Sequence, residues 1–310
     1  MTIKLKRKLL KSLICLGLTL GISGCAATSG SGNGGTNEMK KIEASSWSVA
    51  AEKEFDFPSY IIGYYNKDNA LSVGYGGQIY YMNSESQDWP QATNQSMCRF
   101  GLDMVEGTEG TVCYTCGNAG DVTKSTDGGK TFVKKTNFGS MEPNQCKLLS
   151  FIDENTGVIA SSKRLAITKD GAETWTEITT APEKISALRM ETADKFYFIG
   201  EDLNFYKTTD GGATWETTPL NLPLGKEYLT EIQNLAFSVD GENTYTVFCV
   251  EKETKLLKSY STSDGWATCI ENTVPEFKAS NAVLYLNHDG AMLTYTSVIN
   301  KKAIAFEKQS

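Results

Sequence analysis

Aspartates recur along this chain inside one repeated octamer, Ser/Thr-x-Asp-Gly-x-x-Thr-Trp. Three copies match closely and a fourth is weaker, and their aspartates are separated by 43, 40 and 54 residues. Recurring carboxylates could serve acid–base chemistry, but each of these lies in a turn-forming context. The carboxylate can accept hydrogen bonds from backbone N–H groups a few residues on, and the glycine suits a positive φ. We therefore predict a structural role for Asp127, Gly128, Phe132, Asp170, Gly171, Trp175, Asp210, Gly211, Trp215, Asp264 and Gly265.

Thiol and imidazole chemistry has little support in the sequence. Cys113 and Cys116 have CxxC spacing, but a redox motif of this kind opens a helix, and no helical pattern follows it. A zinc site would need further cysteines or histidines nearby. We expect buried thiols or a structural disulfide instead. The only histidine, His288, falls in a predicted turn, where we expect a surface position without a partner. No catalytic residue, metal or cofactor is predicted.

Residues 1–24 have the pattern of an export signal. Five basic residues precede an uncharged, leucine-rich stretch at 12–22, which is too short for the roughly 20 residues that span a bilayer. The segment ends at Cys25 in Ile-Ser-Gly-Cys, which resembles the lipobox of bacterial lipoproteins and implies a diacylglyceryl group on that cysteine. Residues 25–40 then form a Ser/Gly-rich tether. The sequence predicts an exported chain, anchored through Cys25 to the outer face of a bacterial membrane.

The charge of the mature chain excludes one class of partner. Without the five basic residues of the signal, 25 basic and 37 acidic residues remain, a formal charge of −12. An acidic surface repels the phosphates of nucleic acid. We therefore predict no nucleic-acid partner, and a membrane contact made only by the lipid anchor.

Residues 41–310 have the spacing of an all-β repeat. Turn residues recur with the period of the octamers, and each cluster precedes a short apolar run with a second run before the next octamer. Each unit of about 44 residues predicts a four-stranded propeller blade, with strands A to D and the octamer between C and D. Six units fit, with seven as the alternative count. A degenerate octamer, Met82 to Trp89, completes the series, and Ser45–Ala50 is expected to close the last blade as its outermost strand.

These octamers resemble the Asp box, or BNR repeat, of sialidase-type propellers. Val73-Gly-Tyr-Gly-Gly-Gln-Ile79 is also similar to a strand pair of the photosystem II stability and assembly factor family. This resemblance implies a single non-catalytic propeller that acts as a binding or assembly platform. It does not identify a photosynthetic partner, and the partner could be a protein or a glycan.

The rival implication is a sialidase-like glycoside hydrolase. Such a site needs three arginines on the substrate carboxylate, because a planar guanidinium matches a carboxylate best. The mature chain contains only Arg99, Arg164 and Arg189, so all three would have to converge. The Phe-Arg-Ile-Pro signature of that family is absent, which favours the binding function.

A ligand is expected on the face of the ring formed by the B–C and D–A loops, opposite the octamers. Arg99 and Arg189 are predicted on innermost strands, where they could line the channel. The remaining candidates come from B–C loops. They are Tyr75, Asp121, Arg164, Glu201, Asp202 and Lys301.

Overall fold

The computed structural model describes residues 43–57, 59–92, 97–139, 145–278, 282–297 and 301–309. Lys40 to Ser310 form one compact unit. The predicted signal, the lipidation site at Cys25 and the tether lie outside the described residues. No helix of the described residues is long and apolar enough to cross a membrane.

The described residues contain 23 strands in six antiparallel sheets, which are the six blades of a propeller. Blade 1 contains β2 (Ile61–Asn66), β3 (Asn69–Val73) and β4 (Ile79–Tyr81). Blade 2 contains β5 (Arg99–Met104), β6 (Cys113–Gly117), β7 (Val122–Ser125) and β8 (Val133–Lys134), and blade 3 contains β9 (Leu148–Phe151), β10 (Gly157–Ser161), β11 (Arg164–Thr168) and β12 (Thr176–Ile178). Blade 4 contains β13 (Ile185–Met190), β14 (Phe196–Gly200), β15 (Asn204–Thr208) and β16 (Glu216–Pro219), and blade 5 contains β17 (Ala236–Gly241), β18 (Thr244–Val250), β19 (Leu257–Thr262) and β20 (Ile270–Glu271). Blade 6 contains β21 (Ala282–Leu286), β22 (Met292–Ser297), β23 (Lys302–Lys308) and β1 (Trp47–Glu54).

The first strand of every blade lies at the centre of the ring. These strands, β2, β5, β9, β13, β17 and β21, contact one another in that order, and β21 contacts β2. The six-bladed prediction is therefore confirmed. Between neighbouring blades lie six hydrophobic clusters, which include the stacked pair Tyr114 and Phe151 at 3.7 Å between ring centroids. The core of the molecule thus lies between the sheets, as in any stack of amphipathic β-layers.

The ring is closed by the N-terminal strand, as the sequence predicts. Strand β1 pairs antiparallel with β23, from Trp47 opposite Lys308 to Glu54 opposite Lys302. Trp47 also packs edge-on against Phe248 of blade 5, with 4.8 Å between ring centroids. The strand that is most distant in sequence therefore covers an edge that would otherwise expose unpaired backbone groups.

Blade 1 departs from the predicted four strands. Among the residues described there, which stop at 92 and resume at 97, only an isolated bridge of Tyr80 with Gln91 stands where the fourth strand would pair. The preceding residue is Pro90, which has no N–H to donate to a sheet ladder. The degenerate octamer before it forms a turn that is organised by Asn83, whose side chain accepts the N–H of Glu85 at 3.0 Å. Glu85 itself does not replace the missing aspartate.

All four Asp boxes have the same hydrogen-bond pattern, between strands C and D. In blade 4, Asp210 accepts the N–H of Thr214 at 2.9 Å and its hydroxyl at 2.6 Å. The Thr208 hydroxyl donates to the same carboxylate at 2.8 Å and accepts the N–H of Gly212 at 2.9 Å. Hydrogen bonds from Thr214 lower the pKa of Asp210 to about 2. These contacts give the aspartates the turn-forming geometry that the sequence predicts.

The fourth box keeps this pattern although its aromatic residue has moved. Asp264 accepts the N–H of Thr268 at 2.9 Å. Cys269 occupies the position of the usual tryptophan, whereas Trp266 stands where the other boxes have glycine or alanine. Trp266 has a positive φ of 75° and is fully buried, parallel to the Tyr245 ring. Its indole fills the space beside blade 4 and compensates for a backbone conformation that non-glycine residues seldom adopt.

Candidate functional site

The central channel is too narrow to hold a ligand along its length. The cavity inside it has a volume of about 60 Å³ and is lined mainly by apolar residues of the first strands. That volume accommodates a few water molecules. A ligand must therefore bind at one of the two ends. We call the end surrounded by the B–C and D–A loops the loop mouth, and the end surrounded by the A–B turns and the Asp boxes the Asp-box mouth.

Two of the predicted ligand residues at the loop mouth form a buried ion pair. Arg99, the first residue of β5, has a fully buried side chain whose guanidinium contacts the Asp121 carboxylate, itself 4% exposed. It also donates to the backbone carbonyl of Asp121 at 3.0 Å. Burial lowers the pKa of Arg99, and the charge of Asp121 opposes that shift. Both groups therefore join strand A of blade 2 to its own B–C loop and are not presented to solvent.

Other predicted residues are held on the surface of their own blades. Arg164 Nε donates to Glu177 at 2.9 Å, and its guanidinium lies 4.9 Å from the centroid of the Phe138 ring. Glu201 forms an ion pair with Lys184 at 3.3 Å. Asp202 accepts the Tyr206 hydroxyl at 2.6 Å. Lys301 is an exposed turn residue with a positive φ of 50°. The structure therefore does not gather these residues into one cluster.

Arg189 lies at the opposite end from its predicted neighbours. It is the fifth residue of β13, whereas Arg99 is the first residue of β5. Four residues along a strand correspond to about 13 Å, so Arg189 reaches the Asp-box mouth. There it donates to the carbonyl oxygens of Asn287 at 2.7 Å and His288 at 2.6 Å. The expectation that Arg189 shares the face of Arg99 and Tyr75 is therefore wrong.

The expectation that His288 is a surface residue without a partner is also wrong. Its side chain is 3% exposed, and Nε2 lies 2.9 Å from Asp103 Oδ1. Asp103 also accepts the N–H of Phe151 at 2.6 Å. Blades 2, 3, 4 and 6 therefore meet in one polar network at the Asp-box mouth. The only sequence signal was a charged residue, Asp103, between the apolar residues Leu102 and Met104 of a buried strand.

The Asp-box mouth opens into a depression of about 590 Å³ with an acidic rim. Its carboxylates are Glu106, Glu191, Asp240 and Asp289. No group of the described residues has the composition of a metal site. The buried polar groups of Asp103, His288 and Arg189 are all engaged in contacts between blades, which gives this network a structural role.

The loop mouth carries an aromatic cluster instead. Tyr60, Tyr75 and Phe100 meet edge to face, with ring centroids between 5.1 and 5.6 Å apart. Tyr75 lies on a short 3₁₀ turn in the B–C loop of blade 1 and is 49% exposed. Among the predicted ligand residues, it is the one that presents a large apolar surface to solvent. Tyr75 therefore stays at the centre of the candidate site.

Lys147 and Gln233 complete the loop mouth. The Lys147 ammonium lies 5.6 Å from the centroid of the Tyr60 ring. Gln233 donates to the carbonyl oxygens of Phe100 at 2.8 Å and Lys147 at 2.7 Å and so fixes their relative position. Sequence analysis missed both residues, because a lysine before a strand and a glutamine in a loop are common, and nothing in the sequence pairs them with Tyr60.

The three arginines do not converge. Arg99 is buried in blade 2, Arg164 lies on the third strand of blade 3, and Arg189 lies at the other mouth in blade 4. The arrangement that a sialidase-type site requires is therefore not formed. Fold and repeats together define the molecule as a six-bladed β-propeller of the BNR type.

Comparison with known proteins finds a family match over blades 1 and 2 and most of blade 3. Residues 58–167 match the model of the family described as the photosynthesis system II assembly factor YCF48. Among solved structures, YCF48 bound to a D1 peptide aligns with a TM-score of 0.50 and 11% identity, covering 82% of this chain and 79% of that chain. YCF48 from Cyanidioschyzon merolae gives 0.50 and 13%, with 83% and 98% covered. The WD40 propeller domain of Doa1 gives 0.52 and 12%, with 85% and 98% covered. No curated protein sequence matches the chain.

Proposed function

We propose that this chain is an exported, lipid-anchored propeller that binds a protein partner at its loop mouth and catalyses no reaction. The observation that carries the proposal is the exposed aromatic surface of Tyr75, held rigidly by Tyr60 and Phe100. A rigid aromatic side chain contributes a large contact area at a low cost in conformational entropy. The similarity to YCF48, which has been solved with a D1 peptide, supports a peptide or protein as the bound molecule.

The separation of the arginines supports a non-catalytic function. A hydrolase of the sialidase type would need these charges to grip one substrate carboxylate. Here Arg99 neutralises Asp121, and Arg189 caps two backbone carbonyls between blades. The glycan-binding alternative would be favoured by exposed aromatics beside free carboxylates. At the loop mouth, the described neighbour of the aromatic cluster is the cation of Lys147.

The anchor rests on the sequence alone. The basic start, the short apolar stretch and Cys25 favour lipidation, and the Ser/Gly tether of residues 25–40 would keep the propeller clear of the bilayer. Anchoring would confine the loop mouth to partners on the same membrane surface. That confinement raises the effective concentration of a weakly bound partner.

Site-specific photocrosslinking in cells tests the binding function. A photoreactive phenylalanine analogue replaces Tyr75, and a matched control carries it at Val133, which is 64% exposed on the outer strand of blade 2. We expect a discrete protein adduct from position 75 and none from position 133. The same adducts from both positions, or no protein adduct from position 75, would contradict the proposal.

A further inference from the structure

We propose, resting on the proposed function, that the loop mouth binds an acidic segment of its protein partner. In this arrangement one side-chain carboxylate sits on the Lys147 ammonium, and an adjoining apolar side chain packs on Tyr75. This lysine is half-buried, and burial lowers the pKa of its ammonium, with no charged neighbour among the described residues acting in the opposite direction.

Several other half-buried lysines in the part of the chain that the structure describes have a carboxylate partner. Their ion pairs are Lys124 with Glu154, Lys135 with Glu173, Lys207 with Glu216 and Lys258 with Glu271. Lys147 instead faces the Tyr60 ring. A partly desolvated ammonium that lacks an anion is costly, and a carboxylate ligand would relieve that cost. The site is therefore complementary to a negative charge.

Tyr75 supplies the second part of the site. Its edge-to-face contacts with Tyr60 and Phe100 fix the ring, and Tyr60 also lies under the Lys147 ammonium. The cation and the exposed aromatic surface are thus joined through one tyrosine. A ligand that uses both must carry an apolar group close to its carboxylate, as an acidic peptide segment does.

Gln233 holds the backbone of Phe100 and Lys147 in place at the loop mouth. Its amide nitrogen donates to Phe100 and Lys147, which fixes the amide orientation. Its buried Oε1 has no hydrogen-bond partner among the described residues. A water molecule in the central cavity, which Gln233 lines, would satisfy that acceptor.

The overall negative charge of the propeller does not prevent this binding. Charges are screened beyond about 8 Å at physiological ionic strength, so the ammonium next to the ligand dominates the local interaction. The net charge instead disfavours acidic segments that make no contact with Lys147. Attraction at Lys147 and repulsion elsewhere on the propeller together favour one short acidic segment over others.

Binding of two defined peptides to the full-length chain tests the inference. Both peptides are blocked at their ends and are identical except for a central glutamate or glutamine between leucines. We expect the glutamate peptide to bind at least about tenfold more tightly, because a charge-assisted hydrogen bond is roughly twice as strong as a neutral one. Lys147→Gln should abolish this preference, and Lys147→Arg should retain it. Tyr75→Ala should weaken both peptides equally.

Lys169→Gln is the matched control, because Lys169 is exposed within an Asp box on the opposite face. It should leave both affinities unchanged. Equal binding of the two peptides, a preference that survives Lys147→Gln, or dissociation constants above about 1 mM for both would overturn the inference. If the peptides give one of these results while photocrosslinking at position 75 still captures a protein, only the preference for an acidic segment is refuted, and the binding function stands. Absence of a crosslinked partner would refute the binding function itself.

Discussion

The buried pair of Arg99 and Asp121 gives the sharpest test of the structural reading of the loop mouth. Asp121→Asn removes the charge that neutralises a fully buried guanidinium and keeps the shape of the side chain. Breaking a buried ion pair by removing one partner typically costs about 3–5 kcal/mol, because the other charge stays buried and unpaired. We expect the free energy of unfolding to fall by that amount.

Two further variants separate this effect from simple loss of attraction. Arg99→Met combined with Asp121→Leu removes both charges and should restore most of the stability, since an apolar replacement of a buried pair is often neutral. Lys134→Gln removes the second cation near Asp121. The Lys134 side chain is 66% exposed, and its Nζ lies 3.3 Å from Asp121 Oδ1. We expect this substitution to cost no more than about 1 kcal/mol, as for other exposed pairs.

Urea unfolding, followed by tryptophan fluorescence, measures all three variants. A loss below about 1 kcal/mol for Asp121→Asn would refute the reasoning, because it would mean that the guanidinium is solvated or finds another partner. Unchanged stability together with loss of partner binding would return Arg99 and Asp121 to the ligand site that the sequence predicts.

Three other measurements test separate parts of the account. The pKa of about 2 for Asp210 lies below its ordinary value, so the contribution of this carboxylate to stability is present above about pH 4 and lost as the pH falls towards 2. Asp210→Asn should therefore reduce the dependence of the free energy of unfolding on pH in that window. Trp266→Gly makes the fourth Asp box more regular but leaves a cavity, and calorimetry should show a loss of about 3 kcal/mol or more; an increase in stability would contradict the packing described for this indole. Cys25→Ser should abolish incorporation of a labelled fatty acid and release the exported chain from membranes; labelling that persists would refute the anchor.

The architecture could be predicted because its signals are local. Each Asp box satisfies its hydrogen bonds within a few residues, so the octamer alone predicts the turn that Asp210 and Thr214 form. The closing strand could also be predicted, because a tryptophan-led segment stands before the first unit and the last unit supplies only three strands of its own. Blade 1 was harder, since Pro90 removes a donor from a strand that otherwise has the expected sequence.

The candidate site could be predicted only in part, because its contacts join distant segments. Tyr75 was identified from its B–C loop, but Lys147 comes from blade 3 and Tyr60 from the start of blade 1. His288 and Asp103 are 185 residues apart, and no local pattern pairs them. Arg189 was placed on the correct strand but at the wrong end, because the strand bounds were not known.

Binding of a protein partner at the loop mouth can be measured directly in cells. In-cell crosslinking of the full-length chain, followed by mass spectrometry, compares the wild type with the double variant Tyr75→Ala and Lys147→Gln and with the control Lys169→Gln. We expect a reproducible protein partner for the wild type and the control, and its loss in the double variant. The same partner in all three proteins, or glycans alone, would contradict this expectation.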